Sequence, residues 1–333
     1  MSSSKQSVLA AIVGNTVVMT GKFVVSGLTG SSTMLSEAFH SLADVLNQIL
    51  LLKGIKQSEK DANAEYKSGY GRARFVWALI SATGIFFLGC GMSLWHGIQG
   101  LLSHEPHAVK DLHIAIAVIV VSLIIEGAVL LYATKALMAQ AKTEDLPLYD
   151  YLSDHADPTE LAVLLEDGAA CIGLIIALIC IWLTDMTGNP HWDSIGSILV
   201  GVLLGGVAIV LIQKNKSLLT GRSIPETDMN RLKQILQSKK LIQHTNYIRA
   251  EVIGANQYEV QVELKLHTQA LLETMQVNTS EAYLNIKSQE DFDVFCKSLS
   301  IQTVNHIVTT IDSLEEEITT QIPEIKYIDI EPN

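Results

Sequence analysis

Six apolar segments, each about as long as a bilayer is thick, constrain the fold of this chain more than any other feature. They cover residues 7–28, 32–56, 76–102, 112–138, 160–184 and 192–213. A helix needs about 20 apolar residues to cross the hydrocarbon core, and each segment meets that length. The sequence therefore predicts a membrane protein whose first domain, residues 1–213, is all-α and contains six transmembrane helices.

The basic residues between these segments predict the orientation of the helices. In a six-span arrangement one side of the membrane receives Lys5, Lys53, Lys56, Lys60, Lys67, Arg72, Arg74, Lys135, Lys142, Lys214, Lys216 and Arg222. The joints on the other side hold only Lys110. Because Lys and Arg accumulate in cytoplasmic loops, both termini are predicted to be cytoplasmic, in a bacterial inner membrane. The net charge of −12 and the lack of a basic cluster argue against a nucleic-acid partner.

Residues 214–333 are charged throughout and are predicted to form a cytoplasmic α+β domain. A helix is expected over 224–238, and the alternation of 246–267 around "GAN" predicts a β-hairpin. A second amphipathic helix follows at 303–323 and a strand at 326–332. The order α-β-β-α-β indicates a ferredoxin-like layer, in which residues of about 268–301 form an insertion. Within this insertion the stretch "SQEDFDVFCKSL" (288–299) is expected to be helical.

The second apolar segment contains the stretch "SEAFHSLADVLNQ", which is unusually polar for a membrane helix. His40 and Asp44 are four residues apart and therefore lie on one helix face, which Asn47 continues. An imidazole and a carboxylate placed in this way supply half of a tetrahedral site for a divalent cation. A hydrogen-bonded pair that only holds neighbouring helices together fits the spacing equally well.

Other ionisable residues at membrane depth are candidates for the second half of the site. Glu166 and Asp167 are adjacent in the fifth segment, and neighbours on a helix point about 100° apart, so one is expected to bind metal. Glu126 is interpreted as a packing carboxyl group, with proton carrier or metal relay as the functional alternative. Lys22 could neutralise a carboxylate, but extension to the outer interface is favoured, and Glu37 is placed near that outer end.

Two further features are interpreted as structural. Glycines in the third and sixth segments, among them Gly89, Gly201 and Gly205, allow close contact between helices. Asp193 fits the carboxylate expected in the first turn of its own helix.

Six stretches of the chain are distinctive as a set: "TGSSTMLSEAFHSLADVLNQ", "SGYGRARF", "SLIIEGAVLL", "DPTELAVLLED", "TGNPHWDSIGSILVG" and "LLTGRSIP". Together these motifs resemble the cation diffusion facilitator family, and most closely its zinc transporter 9 branch. The resemblance covers most of residues 12–230 and, more loosely, the remainder. It implies a homodimer of six-span protomers with cytoplasmic ferredoxin-like tails, which exports a divalent metal against an inward flow of protons.

The resemblance also implies a set of metal ligands. His40 and Asp44 match the ligand pair of the second span, and Asp167 matches the second ligand of the fifth. Val163 stands where the family has its first fifth-span ligand, so Glu166 becomes the candidate for the fourth ligand.

The combined prediction is a proton-coupled antiporter that exports a divalent metal ion, with Zn²⁺ and H⁺ as transported ions and no cofactor. The imidazole of His40 favours zinc, whereas manganese, iron and cobalt are the alternative metals. A membrane metal sensor or scaffold that binds metal without transport is the rival function. No H-E-x-x-H pattern is present, so an intramembrane metalloprotease, or any other enzyme, is not predicted.

Overall fold

The computed structural model describes residues 3–102, 112–143, 145–156, 158–275 and 283–333. Lys110 and residues 276–282 of the expected insertion lie outside these described residues. The chain divides into two compact units, Met1–Thr220 and Gly221–Asn333. The break lies beyond residue 213 because the last helix of the first unit continues to Leu219. Gly221 then adopts a positive φ of 88°, a conformation that commonly follows a helix end.

The first unit consists of helices. They are α1 (Ser3–Thr29), α2 (Ser32–Ser58), α3 (Ala73–Gly84), α4 (Met92–Leu102), α5 (Leu112–Thr143), the short α6 (Leu148–Asp150), α7 (Pro158–Thr187) and α8 (His191–Leu219). A π-helical segment, Ile85–Gly91, joins α3 to α4 without a break, and a second one, Tyr151–His155, follows α6. α1 packs on α2, α7 packs on α5 and α8, and α2 contacts α3, α7 and α8.

Within the described residues, five helices are long and apolar enough to cross a membrane. They are Ile12–Thr29 in α1, Ala73–Leu102, His113–Thr143, Thr159–Thr187 and His191–Leu219. Their outer faces are apolar and open; Val17, Ile124 and Val202, for example, are 68%, 67% and 61% exposed. Such faces suit contact with lipid chains. α2, with 27 residues, is also long enough to cross a membrane, but its polar residues make it less apolar than these five helices.

Glycines let α4 and α8 approach each other backbone to backbone. A Cβ atom on Gly97 would lie 2.5 Å from Cγ1 of Ile198 and 2.8 Å from the carbonyl oxygen of Ser194. A Cβ atom on Gly205 would lie 2.9 Å from the sulfur of Cys90. The close packing expected from small residues therefore holds for these helices.

Asp193 lies in the first turn of α8, as expected, and its carboxylate also binds the start of α2. Its carboxylate accepts hydrogen bonds from the hydroxyl group of Ser31 and the backbone N–H of Ser32, each at 2.6 Å, and from the N–H of Thr33 at 3.3 Å. These donors belong to the first turn of α2, whereas Asp193 belongs to α8. The prediction of a structural carboxylate in the first turn of its own helix is confirmed. The structure adds its partners, because the unpaired N–H groups at the start of α2 are close enough to bind this carboxylate.

The second unit consists of one sheet with helices. Its elements are α9 (Glu226–Ser238), β1 (Ile242–Gly254), β2 (Gln257–Leu266), α10 (Thr268–Thr274), α11 (Gln289–Gln321) and β3 (Ile325–Pro332). The strand order is β1-β2-β3; β1 and β2 are antiparallel, which confirms the hairpin, and β3 is parallel to β2. The core draws on α9, α11 and all three strands; it includes Leu232, Ala250, Val260, Val262, Leu264, Ile318 and Ile330.

The helix α11 is longer than the sequence suggested. A helix was expected over 303–323, and the stretch 288–299 was expected to be a separate helical piece within the insertion. In the structure a single helix begins after Ser288, whose hydroxyl accepts the N–H of Asp291 at 3.1 Å while that aspartate accepts the N–H of Ser288 at 2.9 Å. This capping box starts the helix, and no Gly or Pro interrupts it before Gln321.

Candidate metal site in the helical unit

His40 and Asp44 form a buried pair on α2. Nε2 of His40 lies 3.4 Å from Oδ1 of Asp44, and the two side chains are 2% and 18% exposed. Nδ1 of His40 has no hydrogen-bond partner among the described residues. The four-residue spacing thus brings an imidazole and a carboxylate together on the inward face of the helix, as the sequence predicted.

Asn47 connects α2 to two neighbouring helices. Its amide nitrogen donates a hydrogen bond to Oε2 of Glu166 on α7, and its carbonyl oxygen accepts one from the hydroxyl of Ser81 on α3. All three side chains are buried. The hydroxyl can serve as donor to the amide oxygen, which leaves the amide nitrogen to orient the carboxylate of Glu166. Asn47 therefore links α2 to α3 and α7 and orients one oxygen of Glu166; its role beside a metal ion stays a prediction.

Asp167 lies next to Glu166 but is more open. Its Oδ2 atom is shielded from solvent and has no hydrogen-bond partner in the described chain, and the same holds for Oε1 of Glu166. Asp44 interacts electrostatically with Glu166, Asp167 and Glu126. Carboxylates from α2, α5 and α7 therefore act on one another within the helical unit. Such groups repel one another unless protons or cations neutralise them.

The geometry does not assemble the predicted ligands into a closed site. Among the residues described, no group of three or more His, Cys, Asp or Glu side chains lies close enough to hold a metal ion. Val163 also leaves its position on α7 without a donor atom. The site consists of two separate halves: the His40–Asp44 pair on α2 and the Glu166–Asp167 pair on α7. A bound cation could draw the two pairs together by moving side chains or helices.

Lys22 was expected at the outer interface, and this prediction was wrong. The side chain is 1% exposed, and its ammonium group lies 3.3 Å from Oε2 of Glu37 and 3.0 Å from Oε1 of Glu126. Glu37 is fully buried and does not reach an exposed outer end. A buried charge is stable only when it is paired, and these two carboxylates provide the partners. A lone Lys within an apolar segment was the sequence signal for this ion triad, but the partners are 15 and 104 residues away in the chain.

Two histidines of the second unit, His267 and His306, form local hydrogen bonds. Nδ1 of His267 accepts the backbone N–H of Ala270 at 3.3 Å, at the start of α10. Nε2 of His306 lies 2.8 Å from the hydroxyl of Thr274. The described part of this unit contains no cluster of metal-binding side chains.

The sequence was compared with known proteins and families. The model of the cation efflux transmembrane domain matches residues 8–220. The chain is 35% identical over 329 residues to the "Proton-coupled zinc antiporter SLC30A9, mitochondrial" of Xenopus laevis, which covers 97% of this chain. It is also 35% identical over 336 residues to the "Metal tolerance protein C4" of Arabidopsis thaliana, covering 98% of this chain and 73% of the plant protein. The magnetosome protein MamM of Magnetospirillum gryphiswaldense is 25% identical over 242 residues, which are 72% of this chain and 70% of that protein.

The first of these relatives is a longer protein, since the chain spans 58% of its length. The matched region nevertheless includes nearly all of the present chain, with its apolar helices and both carboxylate-bearing segments. The match to a transport family agrees with the prediction of a transporter rather than an enzyme. By this match and its apolar helices, the chain is an integral membrane protein that belongs to the cation efflux family.

Proposed function

We propose that this protein is a proton-coupled antiporter that exports a divalent metal ion, with zinc as its preferred substrate. The observation that carries the proposal is the His40–Asp44 pair on α2, whose carboxylate interacts electrostatically with Glu166 and Asp167 of α7. The name of the related Xenopus laevis protein, a proton-coupled zinc antiporter, supports the same substrate and coupling ion.

The ligand chemistry favours zinc over harder metals. One imidazole with two or three carboxylates suits Zn²⁺, and it also accepts Fe²⁺, Co²⁺ or Mn²⁺. We assign His40, Asp44 and Asp167 as ligands. We place Glu166 as the fourth, since Asn47 orients one of its oxygens and the other has no partner in the described chain.

Proton coupling follows from the same groups. A metal ion binds only deprotonated imidazole and carboxylate, so its capture from the cytoplasm releases protons. Protons that enter from the opposite side compete for the same ligands and expel the metal. Because α2 and α7 carry separate halves of the site, a relative movement of these helices would close it around the cation and reopen it on the other side.

The membrane arrangement is also part of the proposal. We place α2 as the sixth spanning helix because it has spanning length and because its polar residues are largely buried among the other helices. The distribution of Lys and Arg supports cytoplasmic termini. We assign Gly221–Asn333 as a cytoplasmic ferredoxin-like domain on its α-β-β-α-α-β order, and we retain a homodimer in a bacterial inner membrane as the expected assembly and location.

Metal flux into proteoliposomes under an imposed pH gradient tests the proposal. Wild-type protein should move Zn²⁺ in the direction opposite to protons, and Asp44→Asn should abolish that flux. Asp185→Asn is the matched control, because Asp185 is an exposed carboxylate near the end of α7. Wild-type flux in Asp44→Asn would show that the site is misassigned. Zinc binding without flux in the wild type would instead identify a metal sensor or scaffold.

A further inference from the structure

The ion triad of Lys22, Glu37 and Glu126 joins three helices beside the proposed metal site. Lys22 comes from α1, Glu37 from α2 and Glu126 from α5. The ammonium group contacts one oxygen of each carboxylate, at 3.3 Å and 3.0 Å. One positive charge thus faces two acidic groups in the interior of the helical unit, where each unpaired charge is costly.

Each acid of the triad keeps one oxygen unused. Oε1 of Glu37 and Oε2 of Glu126 are buried and lack hydrogen-bond partners among the described residues. Oε1 of Glu37 faces α7 at Gly173. A Cβ atom built on Gly173 would lie 2.9 Å from this oxygen. A glycine at this position therefore leaves room for a carboxylate oxygen against the helix that carries Glu166 and Asp167. Buried oxygens with open lone pairs are potential ligands for a hard cation.

The triad shares its electrostatic environment with the metal ligands. Lys22 acts on both His40 and Asp44, and Glu126 acts on Asp44 and Asp167. Without the ammonium group, two more carboxylates would lie near the ligands with no cation to neutralise them. A bound metal ion could take the place of the ammonium group, because its positive charge would neutralise both carboxylates in the same low-dielectric surroundings.

We propose that Lys22 determines metal specificity by serving as a tethered cation that keeps Glu37 and Glu126 from binding the substrate. The proposal rests on the metal-transport function assigned above. With these two acids engaged, the metal meets a ligand set that includes the imidazole of His40, which suits zinc. Released acids would add oxygen ligands, and a carboxylate-rich site favours manganese or magnesium.

Metal binding to the full-length protein in detergent tests this role, with Zn²⁺, Mn²⁺ and Mg²⁺ each added alone and binding measured by calorimetry. Lys22→Gln should raise the affinity for Mn²⁺ relative to Zn²⁺ by about tenfold or more, the scale on which groups around a metal site act. Lys22→Arg keeps the charge and should restore the wild-type ranking. Lys53→Gln is the control for loss of a lysine elsewhere on the helices. Lys53 is suitable because its ammonium group lies over the ring of Trp77 and not beside the carboxylates of the triad.

A purely structural role for Lys22 would weaken all metals alike, and an unchanged ratio of Mn²⁺ to Zn²⁺ affinity in Lys22→Gln would overturn the proposal. If that variant does not fold, Lys22→Gln combined with Glu126→Gln removes one charge of each sign and leaves Glu37 released. The shift toward Mn²⁺ should persist in this double variant, and a wild-type ratio there would equally overturn the proposal.

The same titrations separate this inference from the function on which it rests. Asp44→Asn should lose Zn²⁺ binding if the metal site is correctly assigned. Loss of binding in Asp44→Asn together with a wild-type metal ratio in Lys22→Gln would reject only the role of Lys22. Undiminished Zn²⁺ binding in Asp44→Asn would reject the metal site itself.

Discussion

Replacement of Asp193 by Ala should destabilise the helical unit strongly, although this residue lies outside the proposed ligand set. The carboxylate is 3% exposed and holds the first turn of α2 through Ser31, Ser32 and Thr33. The two bonds of 2.6 Å involve a carboxylate acceptor, and each such bond contributes about 1.5–3 kcal/mol. Their loss leaves buried N–H groups without acceptors, so the expected destabilisation is roughly 3–6 kcal/mol.

The assay is thermal unfolding of the purified protein in detergent, followed by tryptophan fluorescence. A loss of this size should lower the midpoint temperature on the order of 10 °C. Asp193→Asn keeps one acceptor oxygen and should show a smaller decrease, whereas Asp185→Asn at the exposed end of α7 should leave the midpoint unchanged. A wild-type midpoint in Asp193→Ala would refute the idea that this carboxylate holds the start of α2.

The effect on metal binding separates stability from site geometry. α2 carries His40 and Asp44 in its third and fourth turns. If the cap positions these ligands, Zn²⁺ should stabilise Asp193→Asn less than the wild type at equal metal concentration, since ligand stabilisation follows the affinity of the folded state. Equal stabilisation by Zn²⁺ would limit Asp193 to a role in stability.

Two further predictions concern the second unit, and both are measured by hydrogen–deuterium exchange in the full-length protein. Ser288→Ala removes the capping box of α11, so amide exchange in its first turns should rise by roughly fivefold, while Ser300→Ala in the middle of the helix should not produce this change. Burial is the main cause that raises the pKa of Glu315 above its ordinary value of 4.5, with smaller contributions from Asp312 and Asp329, against the opposing hydrogen bond from the N–H of Ile330. The folded protein therefore binds the Glu315 proton more tightly than the unfolded chain does. Protonation of Glu315 stabilises the fold fully below pH 4.5, and this stabilisation is lost as the pH rises through the raised pKa of the folded state. Glu315→Gln should abolish this loss of protection in β3 between pH 4 and pH 7; a pH dependence equal to that of the wild type would contradict the assignment.

Local patterns were sufficient for much of the fold. The apolar segments identified the long helices of the first unit, because the length needed to cross a bilayer is a property of each segment alone. The alternation on either side of "GAN" located β1 and β2 for a similar reason, since the period of two is a local property of a half-buried strand. α11 was predicted as separate pieces because its exposed first half lacks a clear apolar stripe, and its start depends on the cap at Ser288.

The candidate site was predictable to the extent that its residues share a helix. His40, Asp44 and Asn47 follow from spacing on α2; the structure buries His40 and Asn47 and leaves Asp44 partly exposed. The partners of Asn47 could not be inferred, because Ser81 and Glu166 come from other helices.

By itself, the sequence determined which segments are helical, which residues bring charge into the membrane, and which pairs lie on one helix face. The tertiary structure decided how the charges are paired: Lys22 turns inward to Glu37 and Glu126, and Asp193, in the first turn of α8, binds the start of α2. The physical reason is that helix periodicity relates residues only within a few turns. A buried charge, in contrast, is stabilised by whichever partner the packing brings within about 4 Å, however distant in the chain.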